Sequence, residues 1–133
     1  MPLVFRLMKR DGTLPRVGNT ATGLGVRTPK DIDVGGDGMV VLNNKGMSVR
    51  PAVKDIPLDF LPERIDPAGW GENANRVFRY GEGEFTRCPF AAGLELFPDA
   101  EDHGVVQPIA VVSLQQYRAD IVATRPHWVD IEN

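Results

Sequence analysis

The stretch "HGVVQPIAVVSLQQYRADIVATRP", residues 103–126, predicts a strand followed by the one clearly signalled helix of the chain. Residues 104–107 are largely apolar and β-branched, which favours a strand. Ser113 can cap a helix, with Gln116 reaching back as the second half of a capping box, and Pro126 ends the helical pattern. Strand and helix in one short segment indicate a mixed fold.

The rest of the chain predicts short strands separated by many turns, because 14 glycines and 11 prolines are spread over 133 residues. Residues 56–62 carry two prolines and allow only a short 3-10 turn. We therefore expect a compact α+β fold in a single domain, residues 1–133, with small antiparallel sheets and the C-terminal helix packed on one face. The predicted strands are residues 3–8, 24–27, 39–42, 47–50, 76–80, 94–97 and 104–107, with 109–112 as a further candidate.

Charge and composition argue against several classes of partner. The formal charge is −3 and the sequence pI about 5.3, with both signs interspersed, so we expect no nucleic-acid binding. No apolar run approaches the length of about 20 residues that a membrane helix needs, and the first residues have no signal-peptide pattern. A single cysteine leans towards a cytoplasmic location.

The segment "LNNKGMSVRP", residues 42–51, is the first candidate site. Gly46 and Ser48 lie where a turn runs into a strand, and the cations Lys45 and Arg50 flank them. One interpretation is an ordinary turn in which glycine supplies the backbone angle and serine faces water. The other is that an anionic ligand lies against this strand.

Two further residues could take part in such a site. Arg27, at the end of a predicted strand, could hold a phosphate or carboxylate through two parallel hydrogen bonds, although a structural ion pair is the commoner role. In "YGEGEF", Glu82 and Glu84 would share one face of an extended segment and could supply a general base. The same glycines also fit a simple hairpin turn.

His103 enters a strand directly after three acids, Asp99, Glu101 and Asp102. Such a histidine could act as a base or bind a ribose hydroxyl, and the alternative is an exposed loop side chain. A metal site is not expected, because "DIDVGGDGMV" lacks the later acidic ligands of a calcium loop and the second histidine is far away in sequence.

Several segments, taken in order, resemble one family. They are "DI" at residues 31–32, "DGMV" at 37–40, "GMSV" at 46–49, Gly93 with Leu94, and "HGVVQPIAVVSLQQY" at 103–117. This pattern is similar to that of small bacterial toxins exported by type VI secretion, which have an ADP-ribosyltransferase-like fold and act through NAD. The matches are short and gapped and cover about residues 24–128.

The resemblance implies that Ser48 and His103 lie in an NAD cleft. An early arginine grips the dinucleotide in ADP-ribosyltransferases, and Arg27 is the nearest candidate by chain order. Glu84 corresponds to the usual catalytic glutamate by loose position only, because no Glu-x-Glu motif with its companion serine and arginine motifs is recognisable.

On the same resemblance, Gly46 lets the chain approach the cofactor, and Arg50 or Lys45 adds positive potential for the pyrophosphate. It also implies an immunity protein that covers the cleft, and export from the cytoplasm into a target cell without a signal peptide.

Two alternatives remain open at this stage. The chain could be a non-enzymatic protein-binding or adaptor module of similar fold, which the lack of a firm glutamate motif favours. It could also be a small hydrolase that uses Ser48, although sequence reveals no Ser-His-carboxylate arrangement.

Overall fold

The structure is a computed structural model that describes residues 1–132. Its regular structure consists mainly of two small antiparallel sheets and one C-terminal helix, so the predicted α+β fold is confirmed. The first sheet has the order β1 (Val4–Met8), β5 (Arg76–Tyr80), β9 (Trp128–Asp130), and the second has the order β4 (Met47–Val49), β8 (His103–Pro108), β7 (Leu94–Ala100), β6 (Cys88–Ala91). A short hairpin of β2 (Arg10–Asp11) and β3 (Leu14–Pro15) forms a separate two-stranded ladder.

The bounds of the elements follow chain order. The strands are β1 (Val4–Met8), β2 (Arg10–Asp11), β3 (Leu14–Pro15), β4 (Met47–Val49), β5 (Arg76–Tyr80), β6 (Cys88–Ala91), β7 (Leu94–Ala100), β8 (His103–Pro108) and β9 (Trp128–Asp130). The helix α1 spans Leu114–Ala123, and 3-10 turns lie at Val53–Asp55 and Arg125–His127. Within residues 1–132 no helix is long and apolar enough to span a membrane.

A backbone bridge joins the edges of the two sheets. Phe5 of β1 and Arg50, which follows β4, exchange two backbone hydrogen bonds of 2.7 and 2.9 Å between N–H and carbonyl. Because β4 and β1 are edge strands of their own sheets, this bridge places the two sheets side by side. The candidate residues of β1 and β4 therefore lie close to one another.

The main core is built from buried side chains of both sheets and of α1, and the inner face of the four-stranded sheet is the face that lies against it. Side chains alternate along a strand, so Met47 and Val49 point inward while Ser48 points outward. Helix α1 covers the inner face, where Tyr117 is fully buried. The Tyr117 hydroxyl donates to the carbonyl oxygen of Val106 and accepts from the Met47 N–H. The helix is thus fixed to β4 and β8 by hydrogen bonds as well as by apolar contact.

The N-terminus of α1 agrees only in part with the sequence pattern. Ser113 Oγ accepts a hydrogen bond of 3.0 Å from the Gln116 N–H, as predicted. The second half of the capping box does not form, because the Gln116 side chain instead donates to Asp120 at 2.8 Å, one turn further along the helix.

Three predicted strands were wrong. Residues 24–27 and 39–42 contribute only isolated bridges at Leu24, Met39 and Val40, and residues 109–112 form no strand. The apolar character of Leu24 and Val26 instead reflects burial in the core, within a loop that folds back on itself. The strands β6 and β9 and the β2–β3 hairpin were not predicted.

Candidate functional site

A cavity of about 90 Å³ lies where β1 and β4 meet. One part of its wall is polar and is formed by Arg6, Arg27, Asp31, Ser48 and Arg50. The other part is mainly apolar and is formed by Phe5, Leu7, Ala21, Ile56, Pro57 and Phe60. Three arginines and one aspartate are among the lining residues, so the residues around the cavity carry a net positive charge.

Ser48 lies between this cavity and a chain of hydrogen bonds on the outer face of the sheet. Its Oγ is 3.1 Å from Nε2 of His103, and Nδ1 of His103 is 2.6 Å from Oδ1 of Asp99. Ser48 pairs with Val105 across the sheet, so His103, two residues before Val105, is the diagonal neighbour on the same face. The structure therefore brings together Ser48 and His103, which the sequence analysis selected from two separate segments and connected only through the resemblance.

The hairpin between β7 and β8 explains why Asp99 reaches His103. Ala100 pairs with His103, Pro98 pairs with Gly104, and a β-bulge between these pairs leaves Asp99 as the extra residue. Bulges commonly re-aim a side chain beside a functional site. Of the three acids that precede His103 in sequence, Asp99 is the one whose hydrogen bond to the ring the structure records.

Arg6 is the early arginine in closest contact with Ser48. It lies in the middle of β1 and is only 7% exposed. Its Nη1 donates to the Ser48 carbonyl at 2.8 Å, and Nη2 donates to the carbonyl oxygens of Gly23 and Thr20 at 2.9 and 3.4 Å. Burial lowers the Arg6 pKa to about 10, so the guanidinium remains charged at neutral pH.

Arg27 also lines the cavity, but a carboxylate occupies its fork. Nε and Nη2 of Arg27 each lie 3.0 Å from an oxygen of Asp31, and the Arg27 N–H donates to Asp31 at 2.7 Å. Burial acts to raise the Asp31 pKa, but these hydrogen bonds outweigh it and hold the pKa below its usual value. Arg27 is thus in the ion pair that the sequence analysis gave as its commoner role. The guanidinium of Arg6, in contrast, donates its hydrogen bonds to uncharged backbone carbonyls.

The two cations that flank Gly46 and Ser48 in sequence have different surroundings. Arg50 lines the cavity, and its Nη1 donates to the Asp102 carbonyl at 3.3 Å. Lys45 lies 3.1 Å from Asp33 and is not among the lining residues. Of the pair, Arg50 is therefore the one that can add positive potential to the cavity.

Gly46 and Glu84 lie outside the cavity wall. A Cβ at Gly46 would clash with the Val106 carbonyl oxygen and the Tyr117 hydroxyl, so the close approach that requires glycine is to β8 and α1. Glu84 is exposed in the loop that precedes β6. The carboxylate on the cavity wall is that of Asp31 instead.

Sequence reasoning missed Arg6 and did not single out Asp99. The signal for Arg6 is a charged residue inside an otherwise apolar strand, "LVFRLM", which is costly unless the guanidinium is hydrogen-bonded. Asp99 could not be separated from Glu101 and Asp102 without the position of the bulge. Across the described residues 1–132, no group of three or more His, Cys, Asp or Glu side chains could hold a metal ion.

Comparison with known proteins gives no relative: no family model, curated protein or solved structure matches the chain.

Proposed function

We propose that this chain is a toxin-like domain that binds NAD at the Arg6–Ser48 cavity and transfers ADP-ribose to a target inside a cell. The observation that carries the proposal is the meeting of Arg6, Ser48 and Arg50 on one cationic wall, with His103 hydrogen-bonded to Ser48. The resemblance to type VI secretion toxins implies an NAD cleft in which a phosphate-binding arginine lies beside a serine and a histidine.

The charge of the cavity supports a pyrophosphate ligand. Arg6 donates to backbone carbonyls, which carry no net charge, so its positive charge is not cancelled as that of Arg27 is by Asp31. Arg50 likewise donates to a carbonyl oxygen. Guanidinium groups suit phosphate oxygens because their donors form a planar fork. We assign the pyrophosphate to the cavity mouth beside Arg50.

The size of the cavity limits how much of the dinucleotide enters it. About 90 Å³ holds several water molecules or one small chemical group, far less than a whole dinucleotide. In the proposed complex the nicotinamide-bearing ribose lies against Ser48, and the adenosine half lies along the outer surface. The apolar wall at Phe5 and Phe60 suits the flat nicotinamide ring.

The proposed reaction breaks the bond between nicotinamide and ribose. Nicotinamide leaves with the bonding electron pair, and the cation-like ribose is then attacked by a nucleophile of the target. Asp31, ionised at neutral pH, is the carboxylate of the wall that would lie nearest this positive charge, and its ion pair with Arg27 reduces the stabilisation that it can give. His103 would accept the proton of the incoming nucleophile.

The test is nicotinamide release from NAD by the purified chain, with a matched pair of variants. Arg50→Ala removes a cavity cation, and Lys45→Ala removes the other cation flanking the same segment. Loss of a charge-assisted hydrogen bond costs about 1.5–3 kcal/mol, so we expect Arg50→Ala to raise the KM for NAD at least about tenfold. Lys45→Ala should change it less than about twofold.

Two outcomes would contradict the proposal. One is an equal rise in the KM for NAD in both variants, which would mean that NAD responds to general surface charge and not to the cavity. The other is the absence of both nicotinamide release and binding heat at millimolar NAD, which would favour a non-enzymatic binding module.

The toxin part of the proposal needs a cellular test. Induction of the chain in a bacterial culture should arrest growth, and induction of Ser48→Ala at matched soluble level should not. An immunity protein that covers the cavity should restore growth when it is co-expressed. Normal growth with the parent chain would remove the toxin assignment without bearing on NAD binding.

A further inference from the structure

Ser48, His103 and Asp99 form a linear relay of hydrogen bonds. Asp99 contacts Nδ1 of His103, and Ser48 contacts Nε2 on the opposite side of the ring. A carboxylate on Nδ1 fixes that nitrogen as the donor, which leaves the lone pair of Nε2 to accept the serine O–H. Serine, histidine and carboxylate are then in the order that activates a serine oxygen.

The relay is accessible and lies beside a suitable cavity. The side chains of His103 and Asp99 are 21% and 39% exposed, so an external molecule can approach the relay. The wall on which Ser48 lies also carries Arg6 and Arg50, whose positive charge would stabilise a developing oxyanion. Phe5 and Ile56 provide an apolar surface for a short acyl chain.

We propose that Ser48 is a nucleophile and that the chain hydrolyses small carboxylic esters at this relay. Ser48 Oγ attacks the ester carbonyl carbon while its proton passes to Nε2 of His103. The carbon–oxygen bond to the leaving alcohol then breaks, and His103 returns the proton to that oxygen. Water attacks the acyl-serine in the same way, which releases the carboxylic acid and restores Ser48. No step uses NAD.

The chain offers an internal control because it contains only two serines, Ser48 and Ser113. Ser113 caps helix α1 and has no histidine as a recorded hydrogen-bond partner. A fluorophosphonate, which reacts with activated serines and not with ordinary hydroxyls, should therefore add to one position. We expect the intact mass of the NAD-free full chain to rise by a single adduct, and peptide mapping to assign the adduct to Ser48.

Three variants sharpen this test. Ser48→Ala should abolish labelling and the hydrolysis of 4-nitrophenyl acetate, whereas Ser113→Thr, which keeps a capping hydroxyl, should retain both within about twofold. Asp99 is a positioning residue, since it acts through His103. Asp99→Asn should lower kcat for the ester by at least about 100-fold with little change in KM, because the imidazole is no longer held in the productive tautomer.

Clear results would overturn the proposal. They are an unlabelled parent chain, an adduct on Ser113 or elsewhere, or ester turnover that survives in Ser48→Ala. If Asp99→Asn lowered the melting temperature together with kcat, the loss of activity would reflect destabilisation of the fold and would contradict a positioning role for Asp99. Because NAD is absent throughout, failure of the ADP-ribosyl transfer proposal leaves these outcomes unchanged, and the reverse also holds.

Discussion

The two faces of the β4–β8–β7 sheet differ sharply although they belong to the same strands. On the inner face Met47, Leu96 and Val106 are at most 1% exposed and pack beneath α1. On the outer face Ser48 and His103 are partly exposed and joined by a hydrogen bond. Alternation along these strands therefore places Met47, Leu96 and Val106 on the opposite face from Ser48 and His103.

This separation has an experimental consequence. Substitutions of the buried inner-face residues should lower the free energy of unfolding, and substitution of the partly exposed Ser48 should alter chemistry while stability stays nearly constant.

Leu96→Ala should give the largest loss. Leu96 is fully buried in the main core, so its truncation removes apolar burial and leaves a cavity. Such substitutions cost about 2–5 kcal/mol. Chemical denaturation should record this loss, while fluorophosphonate labelling of the remaining folded protein should be unchanged. A loss below about 1 kcal/mol would mean that the inner face does not carry the stability assigned to it.

Tyr117→Phe tests how the helix is tied to the inner face. The substitution keeps the ring but removes the hydroxyl that bonds the Val106 carbonyl and the Met47 N–H. Leaving buried polar groups unpaired costs about 1–3 kcal/mol. We expect that loss in the free energy of unfolding, measured by denaturation, and a melting temperature above that of Leu96→Ala. An unchanged stability would show that water or neighbouring groups replace the hydroxyl.

Asp31→Asn tests the ion pair on the cavity wall through pH. Because the Asp31 pKa is lowered in the folded chain, its carboxylate stabilises the fold above its usual pKa of 3.8. That contribution is lost as pH falls through the folded-state pKa. The free energy of unfolding of the parent chain should therefore exceed that of Asp31→Asn by about 1.5 kcal/mol near pH 7, and this difference should shrink towards zero in strong acid. A difference independent of pH would contradict the assignment.

Ser48→Ala should have the smallest effect on stability and a complete effect on labelling. Arg6 bonds the backbone carbonyl of Ser48, so loss of the hydroxyl leaves that buried contact in place. We expect the free energy of unfolding to change by no more than about 0.5 kcal/mol. A loss as large as that of Tyr117→Phe would erase the distinction between the two faces.

How much of this could be predicted depended on whether the signal was local. The strand Arg76–Tyr80 and the cap at Ser113 follow from adjacent residues, and both were predicted correctly. The hydrophobic pattern at residues 24–27 was misleading, because burial in a loop and burial in a strand select the same residue types. A local hydrophobic pattern therefore predicts that a residue is buried, but it does not predict which part of the chain packs against that residue.

The candidate site shows the same limit. Ser48 and His103 were selected from their own neighbourhoods, but their contact depends on the pairing of Ser48 with Val105, 57 positions away by their residue numbers. Arg6 was missed because its partners, the carbonyls of Thr20, Gly23 and Ser48, come from distant backbone. Arg27 was preferred by chain order over the ion pair that the sequence analysis named as its commoner role, and the partner, Asp31, is only four residues away.

The backbone bridge between Phe5 and Arg50, which forms the joint between the two sheets, can be followed by amide hydrogen exchange. Their two N–H groups are hydrogen-bonded across the joint, so both amides exchange with solvent only when the sheets part locally. Because Phe5 and Arg50 also border the cavity, a ligand that spans it would slow exchange at these two amides together. The joint thus reports occupancy of the cavity without any knowledge of the reaction performed there.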